Sequence, residues 1–114
     1  MKNIKKYILL FFINVLLMNS CVVSQSGIKL STKNKKAKTN YIKATTYYDR
    51  LDYINTQNEL NKAISTDPNF VEAYMLLGDV NTDLKNFEEA IEAYSNALTI
   101  NPYFFVGTYF NLAN

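Results

Sequence analysis

Residues 71–102 read VEAYMLLGDVNTDLKNFEEAIEAYSNALTINP, and the spacing of apolar side chains in this stretch decides the fold. Ala73, Tyr74, Leu76, Leu77, Val80 and Leu84 recur at three- and four-residue steps, which predicts one helix with a single apolar stripe. Phe87, Ala90, Ile91, Tyr94, Ala97 and Leu98 repeat the pattern and predict a second helix with these residues buried. Lys85-Asn86 is the turn between them. Asn69 followed by Glu72, and Asn86 followed by Glu89, read as caps for the two starts. Pro102 biases Asn101 away from helical geometry and ends the second helix. The small residues Gly78, Ala90 and Ala97 suit places where facing backbones approach closely, so the stretch predicts a helix hairpin.

Sliding the chain past itself by 34 residues superposes Pro68 on Pro102, Ala63 on Ala97, Ile64 on Leu98, Tyr53 on Phe87 and Asp67 on Asn101. A constant offset of this size is the mark of a structural repeat. The expected class is therefore all-α, an array of antiparallel helix hairpins with about two repeats, near 40–68 and 71–102, plus a terminal helix at 104–114.

Ala73-Tyr74-Met75-Leu76-Leu77-Gly78, together with Phe87, Ala90, Tyr94, Ala97 and Pro102, resembles a tetratricopeptide repeat. The sequence departs from the family's pattern at Asn81, where an aromatic residue is usual, and at Lys85, where glycine is common. The unit before it keeps Ala44, Tyr47, Tyr53, Leu60, Ala63 and Pro68 but has Thr56 for the usual alanine and Lys43 for the usual leucine. A third unit begins at Tyr109-Phe110-Asn111-Leu112-Ala113-Asn114, at a spacing one residue longer. The resemblance implies that Tyr74, Leu77, Gly78, Phe87, Ala90, Tyr94, Ala97 and Pro102 pack the repeat. It also implies an inner groove that binds peptides or other proteins, lined by Tyr41, Thr45, Tyr48 and Asp49 from the first unit and Glu72, Met75, Asp79, Thr82 and Asp83 from the second. An alternative reading makes Tyr41 and Tyr48 repeat-packing residues. Family members that clamp a partner's terminal carboxylate use Lys, Arg and Asn in such a groove. Here the lining is acidic, hydroxylated or apolar, so the expected partner carries basic and aromatic or aliphatic side chains.

The first twenty residues have the layout of a signal peptide. Lys2, Lys5 and Lys6 precede an apolar run from Tyr7 to Met18 interrupted only by Asn14. That run is shorter than the roughly 20 residues of a spanning helix, so cleavage ranks above permanent insertion. Cys21, the single cysteine, follows the small residue Ser20 and has no partner for a disulfide. So placed it resembles the lipid-modified cysteine of bacterial lipoproteins, although Met18 and Asn19 fit that pattern poorly. Cleavage after Ser24, releasing the chain to the periplasm, is the alternative, and Cys21 is then a bystander thiol. Residues 21–39, rich in lysine and polar residues, read as a flexible tether, and residues 40–114 as the folded array.

The chain holds 12 basic and 10 acidic residues. Five lysines, Lys29, Lys33, Lys35, Lys36 and Lys38, cluster before residue 40, and residues 40–114 are acidic. No aromatic residue is interleaved with these lysines, so nucleic acid is not an expected partner. There is no histidine, which removes Cys/His and Ser/His catalysis and most zinc sites. Gly27, Gly78 and Gly107 are scattered singly and build no phosphate loop. No cofactor and no metal is implied. Glu88, Glu89 and Glu92 offer carboxylates for acid–base work, but on an amphipathic helix they read as a solvated face.

These readings converge on a non-enzymatic scaffold of the bacterial envelope, lipid-anchored and facing the periplasm or outer membrane. Tyr103, Phe104, Phe105, Val106, Tyr109, Phe110 and Leu112 form an uncharged terminal segment. It is expected either to pack on a partner or a second copy, or to continue into a larger envelope protein with peptidoglycan-binding or secretion-system domains. A small enzyme is the remaining alternative.

Overall fold

The computed structural model describes residues 3–10 and 29–104. Residues 3–10 are helical and form α1. Four further helices follow: α2 (Lys35–Asp49), α3 (Tyr53–Thr66), α4 (Val71–Asp83) and α5 (Phe87–Ile100). The chain is all-α, its helices packed as adjacent hairpins in an extended shape, with α2 against α3, α4 against α5, and α3 joining the two pairs through α4. Cys21, Ser24 and residues 105–114 lie outside the described residues. Among the described residues no helix is long and apolar enough to cross a membrane.

The 34-residue period of the sequence reappears as a period of backbone geometry. Leu51 and Lys85 both adopt left-handed conformations, with φ of 59° and 63°. Each closes a helix in the same way. The Asp52 N–H donates to the Tyr47 carbonyl at 3.0 Å, as Asn86 does to Asn81 at 2.8 Å. The Leu51 N–H donates to Tyr48 and that of Lys85 to Thr82. These are paired Schellman closures, which normally place glycine at the left-handed residue. A side chain there costs roughly 1–2 kcal/mol, so the departure at Lys85 is a strain that the turn between α2 and α3 shares through Leu51.

The turns between hairpins match as closely. Asp67 and Asn101, each before a proline, sit at φ/ψ of −137°/94° and −142°/91°. The Asp67 carboxylate accepts from Asn69 N–H and the Asn101 carboxamide from Tyr103 N–H, both at 3.1 Å. Proline forces the extended geometry on the residue before it, and a short polar side chain secures the turn.

Small residues let the helices approach. Ala37, Asn40 and Ala44 form the buried stripe of α2 and face Thr56, Leu60 and Ala63 of α3. In the second hairpin Ala73, Leu76, Gly78 and Val80 meet Ala90, Ala93 and Ala97. Thr56, at an alanine position, is fully buried with its hydroxyl donating to the Asp52 carbonyl at 2.7 Å, so it is satisfied on its own helix.

Three expectations are corrected. The array begins well before residue 40. Asn34 caps α2 by accepting from Lys36 and Ala37 N–H, Leu30 packs against the core, and the buried Thr32 donates its hydroxyl to Asp67. Lysines 35, 36 and 38 lie on the solvent face of a helix and not in a tether. Asn69 and Asn86 make no side-chain cap. Phe70 occupies the cap position of α4, and Asn86 sits at that of α5 without a capping bond. Finally, Phe87, Ile91 and Leu98, expected to be buried, are 59%, 65% and 41% exposed. They lie on the side of α5 corresponding to Tyr53, Gln57 and Ile64 of α3, where Gln57 reaches Asn81 of the following hairpin.

Candidate peptide-binding face

The first helices of the two hairpins, α2 and α4, bring tyrosines and carboxylates onto one face. Tyr48 donates its hydroxyl to Asp83 Oδ2 at 2.7 Å, and its ring lies 6.0 Å from that of Tyr53. Tyr94, reaching over from α5, donates to Asp79 Oδ1 at 2.6 Å. Glu72 accepts from the Ser31 backbone N–H at 2.8 Å and from the Ser31 hydroxyl. Tyr41 is half-buried, its ring 5.0 Å from Phe70 and tilted by 50°.

The electrostatics show that these groups share a field. Burial first, then the charges of Glu72 and Asp79, push the Tyr41 phenol up to about 12. For Tyr48 the bond to Asp83 comes first, then burial and the charges of Asp83 and Asp79, again giving about 12. Tyr94 is raised by burial and by its bond to Asp79. A phenol whose pKa rises on folding keeps its proton and its stabilising contact below the ordinary value near 10, and loses both as pH climbs through the raised value. At neutral pH Tyr48 and Tyr94 are therefore protonated and donate to Asp83 and Asp79. Among the described residues the ion pair is Lys62–Glu59, at 2.7 Å on α3, so the charges of Asp79 and Asp83 face outward without a neighbouring cation.

The expected groove residues fall into three groups. Tyr48, Asp79 and Asp83 are drawn together, with Tyr94 added from the packing set. Glu72 is occupied by Ser31, and Tyr41 serves mainly as packing against Phe70. Thr45 and Thr82 donate their hydroxyls to the Ile42 and Gly78 carbonyls of their own helices, while Asp49 is exposed and Met75 half-buried. Of the packing set, Gly78, Ala90 and Ala97 are buried, Tyr74, Leu77 and Tyr94 half-buried, and Phe87 and Pro102 exposed. Ser31 and Thr32 were missed, because their partners lie 41 and 35 residues away and no local pattern marks them.

A repeated all-α hairpin with a charged, tyrosine-lined face belongs to the class of proteins that present surfaces to other proteins. Comparison with known families agrees: residues 71–104 match the tetratricopeptide repeat family, whose units imply protein partners and occur mostly in non-catalytic scaffolds. No enzyme family was found. A search of curated proteins gave no significant match.

Proposed function

We propose that the array is a protein-interaction module of the bacterial envelope, held at the membrane through an acylated Cys21, whose α2–α4 face binds a basic segment of another exported protein. The observation that carries this reading is the pair of carboxylates, Asp79 and Asp83, each fixed on the face by a tyrosine hydroxyl. A prepositioned charge costs little ordering entropy when it meets a lysine or arginine. Tyr48 and Met75 supply apolar surface beside it. Because the array starts at Leu30, only residues 22–29 separate it from Cys21. At no more than about 3.5 Å per residue the start of the array stays within roughly 30 Å of the anchor.

With a photo-crosslinker at Met75 of the full chain, the partner adduct is expected to fall at least about tenfold when Asp79 and Asp83 are both changed to Lys, as expected for two charge-assisted contacts. Undiminished crosslinking would remove the face from the proposal. The anchor is tested separately by mass spectrometry of the mature protein. Acylation at Cys21, lost in Cys21→Ser, is the expected result, and an unmodified terminus at Gln25 is the result that overturns it. The exposed apolar side of α5 favours a second reading, in which a further helix or a second copy of the chain packs on Phe87 and Ile91.

A further inference from the structure

Lys29, Lys33, Lys35, Lys36 and Lys38 fall within residues 29–38, a stretch that holds no acidic residue. All five are exposed, and among the described residues none of them forms an ion pair. The carboxylates that this segment meets are engaged otherwise. Glu72 accepts from the backbone N–H and the hydroxyl of Ser31. Asp67 accepts from the hydroxyl of Thr32 at 2.5 Å and from Asn69 N–H. With both acids counted, the start of the array still carries an excess of positive charge. Lys35, Lys36 and Lys38 also stand at the N-terminal end of α2, which has no acid in its first turn, so their charge is set against the helix dipole. An anion outside the chain relieves both the mutual repulsion and the dipole.

The placement of the lysines says which anion. The bonds of Ser31 and Thr32, together with Leu30 packed on the core, fix the point where the chain leaves the array toward Cys21. The lysines surround that exit, and the tether beyond it is only residues 22–29. Exposed charges act over about 8 Å at physiological ionic strength, so an anionic surface attracts them only when it is held close. A short attachment to a bilayer holds it close to this end. The other end of α2 has the opposite character, since Tyr48 there donates to Asp83. Tyr48 lies about 18 Å along the helix from Lys36, at 1.5 Å per residue.

We propose that the lysine end of α2 docks on the head groups of an anionic phospholipid bilayer. Docking stands the array on its basic end and turns Asp83 away from the membrane, toward the space where a partner arrives. It rests on attachment of the chain through Cys21, and the two fail in different ways.

The test uses the ¹⁵N-labelled chain purified from membranes and placed in lipid nanodiscs that contain a trace of gadolinium-headgroup lipid. One set of discs is phosphatidylcholine alone, and the other holds about one third phosphatidylglycerol. Attachment is read as co-elution with the phosphatidylcholine discs, and docking as broadening of backbone amide signals. On the phosphatidylglycerol discs residues 29–38 should broaden several-fold more than residues 79–83, and on phosphatidylcholine the two should differ little. The contrast should vanish in about 1 M sodium chloride, where the screening length falls to about 3 Å. Each lysine at an anionic surface contributes about a fivefold gain in binding. Lys33→Gln with Lys35→Gln and Lys36→Gln should therefore remove the contrast, with the helical circular dichroism unchanged. Asp79→Asn with Asp83→Asn should leave it in place, which separates this surface from the tyrosine–carboxylate face. Absence of co-elution with phosphatidylcholine discs overturns the attachment, and absence from both sets overturns docking as well. Co-elution with equal broadening on the two lipids, or a contrast that survives the lysine changes, overturns docking alone and leaves an acidic protein segment as the counterpart of the lysines.

Discussion

Phe70→Ala is expected to lower the stability of the array by about 3–5 kcal/mol, the range for emptying a fully buried aromatic site. Phe70 is 0% exposed and heads the largest fully buried side chains. It sits where the hairpins join. Its carbonyl starts α4 by accepting from Ala73 and Tyr74, its own N–H closes the turn onto Asp67, and its ring rests on Tyr41 of α2. Since α4 has no side-chain cap, burial of this ring is what fixes the start of the helix. A domain of this size holds only about 5–15 kcal/mol in total, so the loss is a large share of the whole. Urea unfolding followed by circular dichroism should show the midpoint falling sharply for Phe70→Ala and much less for Phe70→Leu, which keeps most of the volume. Equal, small shifts for both would mean that the hairpins are held together elsewhere.

The same joint explains what the sequence made legible. Proline at 68 and 102 acts through covalent geometry on a single neighbour, so the turn at Asp67 and that at Asn101 had to match wherever the helices ended. Small residues at helical spacing identified the hairpin partners of the second repeat for a similar reason, since close approach tolerates few side chains. The start of the array was hidden by composition. In α2 the buried stripe is Ala37, Asn40 and Ala44, too small and too polar to stand out among the lysines. In α5 the difficulty was opposite. Phe87 and Ile91 fit the helical period, yet a period reveals an apolar side and not which neighbour covers it.

The candidate site was legible by halves. Asp79 and Asp83 follow from the phase of α4, but the donors that hold them, Tyr94 and Tyr48, come from other helices, and Tyr94 read only as packing. Asn81 was visible as a departure that weakens packing. That its buried carboxamide accepts from Gln57 of α3 could not be read there, because the contact exists only once the hairpins stack.

The pairing of Gly78 with Tyr94 yields the second large effect. A Cβ added at Gly78 would lie within 2.7 Å of three atoms of the Tyr94 ring, and that ring is tied down by its bond to Asp79. Overpacking of this kind costs about 1–3 kcal/mol, against which alanine recovers only about 0.5–1 kcal/mol of helix propensity. Gly78→Ala is therefore expected to lower the melting temperature, by about 4–8 °C for each kcal/mol lost. The first hairpin already contains the remedy. Thirty-four residues earlier the equivalent pair is Ala44 and Leu60, both fully buried, so a methyl on the first helix goes with a smaller side chain on the second. Tyr94→Leu alone should cost some stability, because it gives up ring packing and the hydroxyl bond to Asp79. Added to Gly78→Ala, it should restore most of the lost melting temperature, giving a coupling between the two sites on the order of 1–2 kcal/mol. If the two changes simply add, the methyl is not meeting the ring, and the close approach of α4 to α5 does not depend on glycine.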